Sequence, residues 1–490
     1  MIKKKSIISL LLLSLFMTVL FGCERAKRTI DRPAISMEPD QSTRLLPSKA
    51  QLNGGINIYM PDDPYKSFWV EKWNHPSQSI QWNVKAESGS YLAEVLIKLN
   101  NIGGEENVIL ELSDGHKSCQ CIVTGSDWQR CVFENPIQLL AGTSTVTLRI
   151  LSPGKSPDFN VHLFSLELTE SKLYAQLKQH ANELRSDAHW IGDLKYGFFF
   201  HWNSSSMPRF GDPKTYEEAV NDFDTEGFAK MVYECGGGLV FFTTAWAEMY
   251  FPGPLRAIDN ILPGRTTSRD LVSDMANALG KYGIKLILYY NVLADTHWRT
   301  LQSYSDNPQT LYTNLENILG EISDRYGSKI AGIWLDDGMG YYPGGANFEK
   351  LTRAAKRNNK DFLICYNSWI FPRLTDFQDY YAGELGLSEE SAGMNNLYLP
   401  VDGSGVFIGG PQEGLQATYC GLLESGDWTH RYKDSEIDDP LLTIDQLVNV
   451  VKESDKRKNL PMINVRIYQD GTISSKSEAL LKELKKVIND

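Results

Sequence analysis

The stretch "LYTNLENILGEISDRYG" (311–327) followed by "IAGIWLDD" (330–337) decides the fold, because an amphipathic segment runs through one glycine into a short apolar run. A run of large apolar residues bounded by glycine and aspartate is what a strand covered on both faces requires. The unit repeats from Leu194 onward. Its strands are predicted at YGFFFHW (196–202), GLVFFTT (238–244), IKLILYYN (284–291), IAGIWLDD (330–337), DFLICYN (361–367), DYYAGE (379–384), GSGVFIGG (403–410) and LPMINVRI (460–467). Amphipathic stretches such as DTEGFAKMVYECG, SRDLVSDMANALGKYG and IDQLVNVVKESDKRK lie between them. Buried strands interleaved with helices predict a (β/α)8, TIM-like barrel over 194–490. An open doubly wound sheet is the alternative, and its dinucleotide-binding form is disfavoured because no glycine-rich loop follows the first strand.

Upstream the period changes. From about Gly54 to Thr169, SIQWNV, YLAEVLIKL, NVILEL, WQRCVF, STVTLRIL and NVHLFSLEL alternate or carry β-branched residues between turn signals. They predict an all-β jelly-roll or β-sandwich domain over 51–170. KLYAQLKQHANELRS (172–186) predicts a helical connector within 171–193. SGSYLAEVLI, VTGSDWQRCVF and IQLLAGTSTVTLRI loosely resemble a carbohydrate-binding module, and a spacer domain is the other reading. Trp69, Trp73, Trp82 and Trp128 are its candidate glycan contacts, with packing as their alternative role.

The chain opens with MIKKKSIISLLLLSLFMTVLFGC, in which a basic start, an apolar run and Gly22–Cys23 read as an export signal over 1–22. It resembles the lipobox of bacterial lipoproteins. That resemblance implies lipidation at Cys23 and an exported protein held to the outer membrane or periplasmic surface of a bacterial cell through lipid alone. Residues 23–50, polar and proline-punctuated, read as a flexible tether.

Net charge is −12, so nothing favours a nucleic-acid partner. Cys119, Cys121 and Cys131 crowd one region where export permits a disulfide, whereas Cys235, Cys365 and Cys420 sit in apolar segments as buried thiols. No Cys-x-x-Cys or His-Glu-x-x-His pair occurs, and neither metal nor organic cofactor is expected.

Barrel enzymes place reacting groups at the C-terminal ends of strands. The predicted strand ends carry His201 and Trp202, Trp246 and Glu248, Asn291 with His297, Trp334 with Asp336, Asn367 with Trp369, and Glu384. Aromatic faces suit sugar C–H faces, while imidazole, amide and carboxylate groups suit its hydroxyls. Strand alternation allows only one of Asp336 and Asp337 to reach the mouth with Trp334.

These residues bring the barrel half into resemblance with the alpha-L-fucosidase family of retaining glycoside hydrolases. The matching segments are KYGFFFHWNSSSMP from Lys195, DFDTEGFAKMVYECGGGLVFFTTAW from Asp222, RDLVSDMANALGKYGIKLILYYN from Arg269, GIWLDDG from Gly332 and INVRIYQDGTIS from Ile463. The resemblance implies Asp336 as nucleophile, with Asp337 a structural neighbour, and His201 as a sugar contact. Trp202, Trp246, Glu248, Tyr290, Asn291, His297, Trp334, Asn367 and Trp369 complete the expected substrate site. Family members commonly carry Lys-His-His-Asp-Gly after the second strand, where this chain has AWAEM (245–249). L-fucose or a related sugar such as L-galactose is therefore the expected glycone. Glu384 and then Glu413 are the candidates for acid/base. The expected activity is retaining exo-hydrolysis of an oligosaccharide or polysaccharide, and the alternative is a catalytically inactive glycan-binding lipoprotein.

Overall fold

In the computed structural model, which describes residues 32–59, 68–103, 106–303, 306–369, 371–388 and 399–489, eight parallel strands form one sheet. They are β1 (Gly197–Phe200), β2 (Leu239–Ala245), β3 (Lys285–Asn291), β4 (Gly332–Asp336), β5 (Leu363–Tyr366), β6 (Tyr380–Gly383), β7 (Gln416–Leu422) and β8 (Leu460–Asn464). Hydrogen-bonded neighbours run in the order β5, β4, β3, β2, β1, β8, β7, β6. Alternation divides each strand between two apolar clusters. Phe199, Phe241, Ile287, Tyr289, Trp334, Cys365 and Met462 fill the barrel interior. Phe198, Phe200, Val240, Phe242 and Tyr290 face outward into the packing of the helices.

The barrel is nearly closed, with its seam between β5 and β6. Asp379, just before β6, donates its N–H to the Ile364 carbonyl at 2.9 Å. Its carboxylate accepts the Ile364 N–H at 2.8 Å, standing in for a ladder carbonyl. Lys356 pairs with the same carboxylate at 2.8 Å, and both side chains are buried. A carboxylate so placed must be ion-paired and hydrogen-bonded to stay buried.

Several of the helices start where aspartates and threonines cap them. Asp224 accepts from Gly227 N–H ahead of Thr225–Glu234, and Asp270 accepts from Ser273 N–H ahead of Leu271–Gly280. Thr443 and Gln446 form a capping box at Ile444–Arg457. Among the described residues, no helix joins β5 to β6, so strict strand–helix alternation lapses at the seam.

The seventh strand is a correction. GSGVFIGG (403–410) is a loop, and β7 lies later, at QATYCGL. Gly403, Gly405, Gly409 and Gly410 all take positive φ, which breaks any strand through Val406–Ile408. Gln416 hides its polarity by donating to the Lys458 carbonyl at 2.8 Å, so a polar residue opens a fully buried strand.

Residues 35–170 form two larger, mostly antiparallel sheets, one with a short parallel pair, and a two-stranded ladder of Asn57–Ile58 with Val70–Glu71. SIQWNVKA, NVILELS and SCQCIVT alternate buried and less buried residues, which gives each one core face. Trp73 and Trp82 sit inside this core and are packing residues, not glycan contacts. Ile35–Ser36 and Thr43–Leu45 pair with Val84–Lys85 and Leu166–Leu168, so the tether expected to run to residue 50 is part of the sandwich from Ile35 onward. Cys23 and the export segment lie outside the described residues. Cys119, Cys121 and Cys131 are free thiols, as are Cys235, Cys365 and Cys420.

Sandwich and barrel belong to one compact unit, Ala34–Asp490. Trp128 and Phe164 pack on Phe371 with ring centroids 4.6 and 4.4 Å apart. Arg130 meets Glu94 at 2.5 Å, and Arg373 meets Asp376 at 2.9 Å. Burial opposes the charge on Asp376, but Arg130, Arg373 and Lys178 outweigh it and hold that carboxyl well below the usual range.

Candidate active site

Asp336 ends β4 at the mouth of the barrel and is half-buried. Tyr289, on the adjacent strand, donates its hydroxyl to Asp336 Oδ2 at 2.5 Å. Asn291 approaches the same oxygen at 3.4 Å, and Asn367 Nδ2 donates to Oδ1 at 2.7 Å. The parallel register explains the convergence, since Asn291 and Asp336 are paired residues of β3 and β4. Asp337 leaves the strand with φ of 64°, and Gly338 N–H then donates to the Asn367 carbonyl at 3.0 Å. A Cβ on Gly338 would come within 2.2 Å of that oxygen, so the second glycine of GIWLDDG fixes the approach of the β4 and β5 loops.

Asn367 also donates the same Nδ2 to Glu384 Oε1 at 2.6 Å. One nitrogen bonded to both carboxylates keeps those two oxygens within the summed bond lengths, about 5.3 Å. Glu384 follows β6 and is exposed to solvent, so the contact spans the seam at the mouth as Asp379 spans it below.

A small cavity of about 70 Å³ opens beside this pair, with Phe199, Trp246, Tyr289, Trp334 and Trp428 as aromatic lining and His201 as its imidazole. His201 is 4 % exposed, and its Nδ1 lies 2.8 Å from Thr243 Oγ1. Burial, assisted by the charge of Arg431, pushes the imidazole down to about 3, so it is neutral at neutral pH. Tyr289 is pushed well above the ordinary phenol value by burial and by the Asp336 charge, and remains a donor. A second cavity of about 450 Å³ shares Asp336 and Glu384 with the first. Its lining includes Asn367 and Trp369 from the barrel and Tyr59, Phe68 and Trp69 from the sandwich.

The structure thus brings together Asp336, Glu384, His201, Trp246, Asn291, Asn367, Trp369 and, lower in the barrel, Trp334. It separates the others. Tyr290 faces the helices and donates to Met249 Sδ at 3.5 Å, because neighbours on a strand point to opposite faces and Tyr289 has the inward one. Trp202 is buried for the same reason, donating to the Gln469 carbonyl at 3.0 Å. Glu248 is turned outward by Ala247, whose φ is 61°, and accepts from Ser204 at 3.0 Å. His297 is exposed on the helix Thr296–Leu301 and lines neither cavity. Glu413 precedes β7 and so stands at the opposite end of the barrel from the strand C-termini, a consequence of the corrected seventh strand. Tyr289 and Trp428 are site residues that the strand-end reading missed. Alternation from Asn291 selects Tyr289, whereas Trp428 lies in the loop beyond β7 and leaves no periodic signal.

Among the described residues, no three His, Cys, Asp or Glu side chains converge as metal ligands. A parallel barrel with a bridged carboxylate pair in an aromatic pocket at the strand C-termini defines the class, a barrel glycoside hydrolase. A family model described as Alpha-L-fucosidase matches residues 214–489, more than half of the chain, and the protein belongs to that family. No curated protein matches it in sequence. Among solved structures, an alpha-L-fucosidase from Bacteroides thetaiotaomicron aligns at 18 % identity over 62 % of this chain and 74 % of that one, with a TM-score of 0.44. The Thermotoga maritima alpha-fucosidase in complex with a mechanism-based inhibitor aligns at 17 % identity over 63 % and 75 %, with a TM-score of 0.45.

Proposed function

We propose that this glycoside hydrolase is a retaining exo-alpha-L-fucosidase in which Asp336 is the nucleophile and Glu384 the acid/base. The observation that carries the reading is the Asn367 amide, bonded to both carboxylates at 2.7 and 2.6 Å. Retaining enzymes hold their two carboxyl groups about 5–5.5 Å apart, and inverting enzymes about 6.5–9.5 Å apart to admit a water. A bridge of about 5.3 Å at most supports the first geometry. Asp336 attacks the anomeric carbon as the bond to the leaving oxygen breaks, and Glu384 gives that oxygen its proton. Glu384 then takes a proton from water as the water oxygen attacks the same carbon and releases Asp336.

The small cavity supports L-fucose over L-galactose. Its walls are mostly aromatic, and the polar groups of its lining residues are those of His201, Asp336 and Glu384, the Tyr289 hydroxyl, the Cys420 thiol and the indole N–H groups of Trp246, Trp334 and Trp428. A C6 methyl group suits such walls, whereas a buried hydroxyl left without a partner costs about 1–3 kcal/mol. Trp246 and Ala247 replace the histidine pair of typical members, and Glu248 is turned away from the cavity, leaving His201 as the imidazole contact. The test compares α-L-fucosyl and α-L-galactosyl substrates with the same leaving group, and equal kcat/KM for the two would refute the fucose preference. No observation favours the inactive glycan-binding alternative. The lipobox-like sequence supports lipid anchoring at Cys23, which is tested by whether Cys23→Ser moves the protein from the membrane to the soluble fraction.

A further inference from the structure

The larger cavity is built from both domains, and the mechanism leaves its aromatic side unexplained. Tyr59 stacks on Trp69 with centroids 4.7 Å apart and ring planes 8° apart, and Phe68 meets Trp69 edge-on at 5.7 Å. Tyr59 remains 39 % exposed at the cavity. On the barrel side, Trp369 holds a left-handed backbone, φ 55°, and is 47 % exposed. Such a conformation is costly for a bulky residue and persists when its surroundings impose it. Here its N–H donates to Asn367 Oδ1 at 3.2 Å, on the same amide whose nitrogen bonds both carboxylates. The side chain that sets the carboxylate pair therefore also anchors the turn carrying Trp369.

Asp336 and Glu384 line both cavities, so the scissile bond sits where the two meet. A glycone in the small cavity directs the leaving oxygen, beside Glu384, into the large one. Aromatic faces on that side suit the C–H face of a pyranose. The sandwich is held in place by packing of Trp69 against Trp128 and Phe371 and by the ion pairs around Asp376, which makes its rings a fixed wall. We infer that Tyr59 and Trp69 of the N-terminal sandwich form the leaving-group subsite and receive a second sugar ring. The sandwich then serves the reaction from within the active site, not as a separate glycan-binding module. This inference rests on the fucosidase reading.

The test uses the full chain with Tyr59→Ala, Trp69→Ala and Trp69→Phe, on three substrates: α-L-fucosyl fluoride, 4-nitrophenyl α-L-fucoside and 2′-fucosyllactose. Fluoride leaves the large cavity empty, whereas the other two place a ring in it. Removing a ring is expected to lower kcat/KM about 2- to 12-fold on the ring-bearing substrates, the size of one aromatic contact. Turnover of the fluoride is expected to stay unchanged, and Trp69→Phe to recover much of the loss. Equal losses on all three substrates, or no loss on the ring-bearing ones, would overturn the subsite. Tyr59→Ala keeps the test open if Trp69→Ala misfolds, because Tyr59 is partly exposed. A wild type inert on all three refutes the fucosidase reading instead. The subsite is then judged by titration calorimetry with lactose, where heat lost in Tyr59→Ala supports it and heat that is absent or unchanged overturns it.

Discussion

Replacing Tyr289 with phenylalanine removes one oxygen from the site and little else. The ring stays among Phe199, His201 and Trp334, whose centroids lie 5.5, 4.8 and 6.1 Å away. What is lost is the 2.5 Å bond to Asp336 Oδ2, which leaves that oxygen with Asn291 at 3.4 Å, at the long limit of hydrogen bonding. A hydrogen bond to a charged group contributes about 1.5–3 kcal/mol. If that energy orients Asp336 for attack, kcat/KM falls about 10- to 150-fold, at about 1.4 kcal/mol per factor of ten. The assay is hydrolysis of α-L-fucosyl fluoride, with circular dichroism and Tm to establish that the fold is intact. Tyr290→Phe is the control, since that hydroxyl donates to Met249 on the far face of the strand, and its activity should match wild type. A Tyr289→Phe enzyme as fast as wild type would refute the view that this phenol positions the nucleophile.

Further outcomes follow from the same geometry. Glu384→Gln should lower turnover of glycans with sugar leaving groups about 10²- to 10⁴-fold, since their leaving oxygen then departs without a proton. On α-L-fucosyl fluoride, whose fluoride needs no acid, azide should speed turnover by attacking the glycosyl-enzyme without a base and yielding α-L-fucosyl azide; no acceleration there would remove Glu384 from its role. His201 has its folded value near 3 against about 6.5 unfolded, so the unfolded chain binds more protons between those limits. The stability linked to His201 is thus complete above about pH 6.5 and declines as pH falls toward 3, by up to about 1.4 kcal/mol per pH unit. Chemical denaturation of wild type and His201→Phe at pH 7.5 and 4.5 should show the difference between them shifting against wild type at the lower pH. A pH-independent difference would mean that the imidazole is not buried neutral.

Much of the barrel was legible because its strands are buried on both faces and read as uninterrupted apolar runs, as FFF at 198–200 and LILYY at 286–290 do. The seventh strand escaped the same reading. VFI at 406–408 imitates a buried strand but is hemmed by glycines at positive φ, whereas QATYCGL opens on a glutamine whose amide is satisfied by a distant carbonyl. That single shift carried Glu413 to the wrong end of the barrel. Asp336 was singled out by the family resemblance, as the aspartate two residues beyond Trp334, and Glu384 by its place at the end of the sixth strand; the structure brings both to the Asn367 amide. Tyr290 was the wrong tyrosine because a choice of face applies to a whole strand, and Asn291 had already fixed it. Trp69 was legible as a candidate glycan contact but its place was not, since only the packing of sandwich on barrel brings it to the same cavity as Asp336.

In the proposed reaction Asp336 bonds covalently to the sugar. Incubation with 2-deoxy-2-fluoro-α-L-fucosyl fluoride slows both steps while its good leaving group still lets the first proceed, so the glycosyl-enzyme accumulates. Peptide mass spectrometry should then find the fluorosugar on the side chain of Asp336. A label on Asp337 or any other residue, or turnover of α-L-fucosides with no label at all, would rule out Asp336 as the nucleophile.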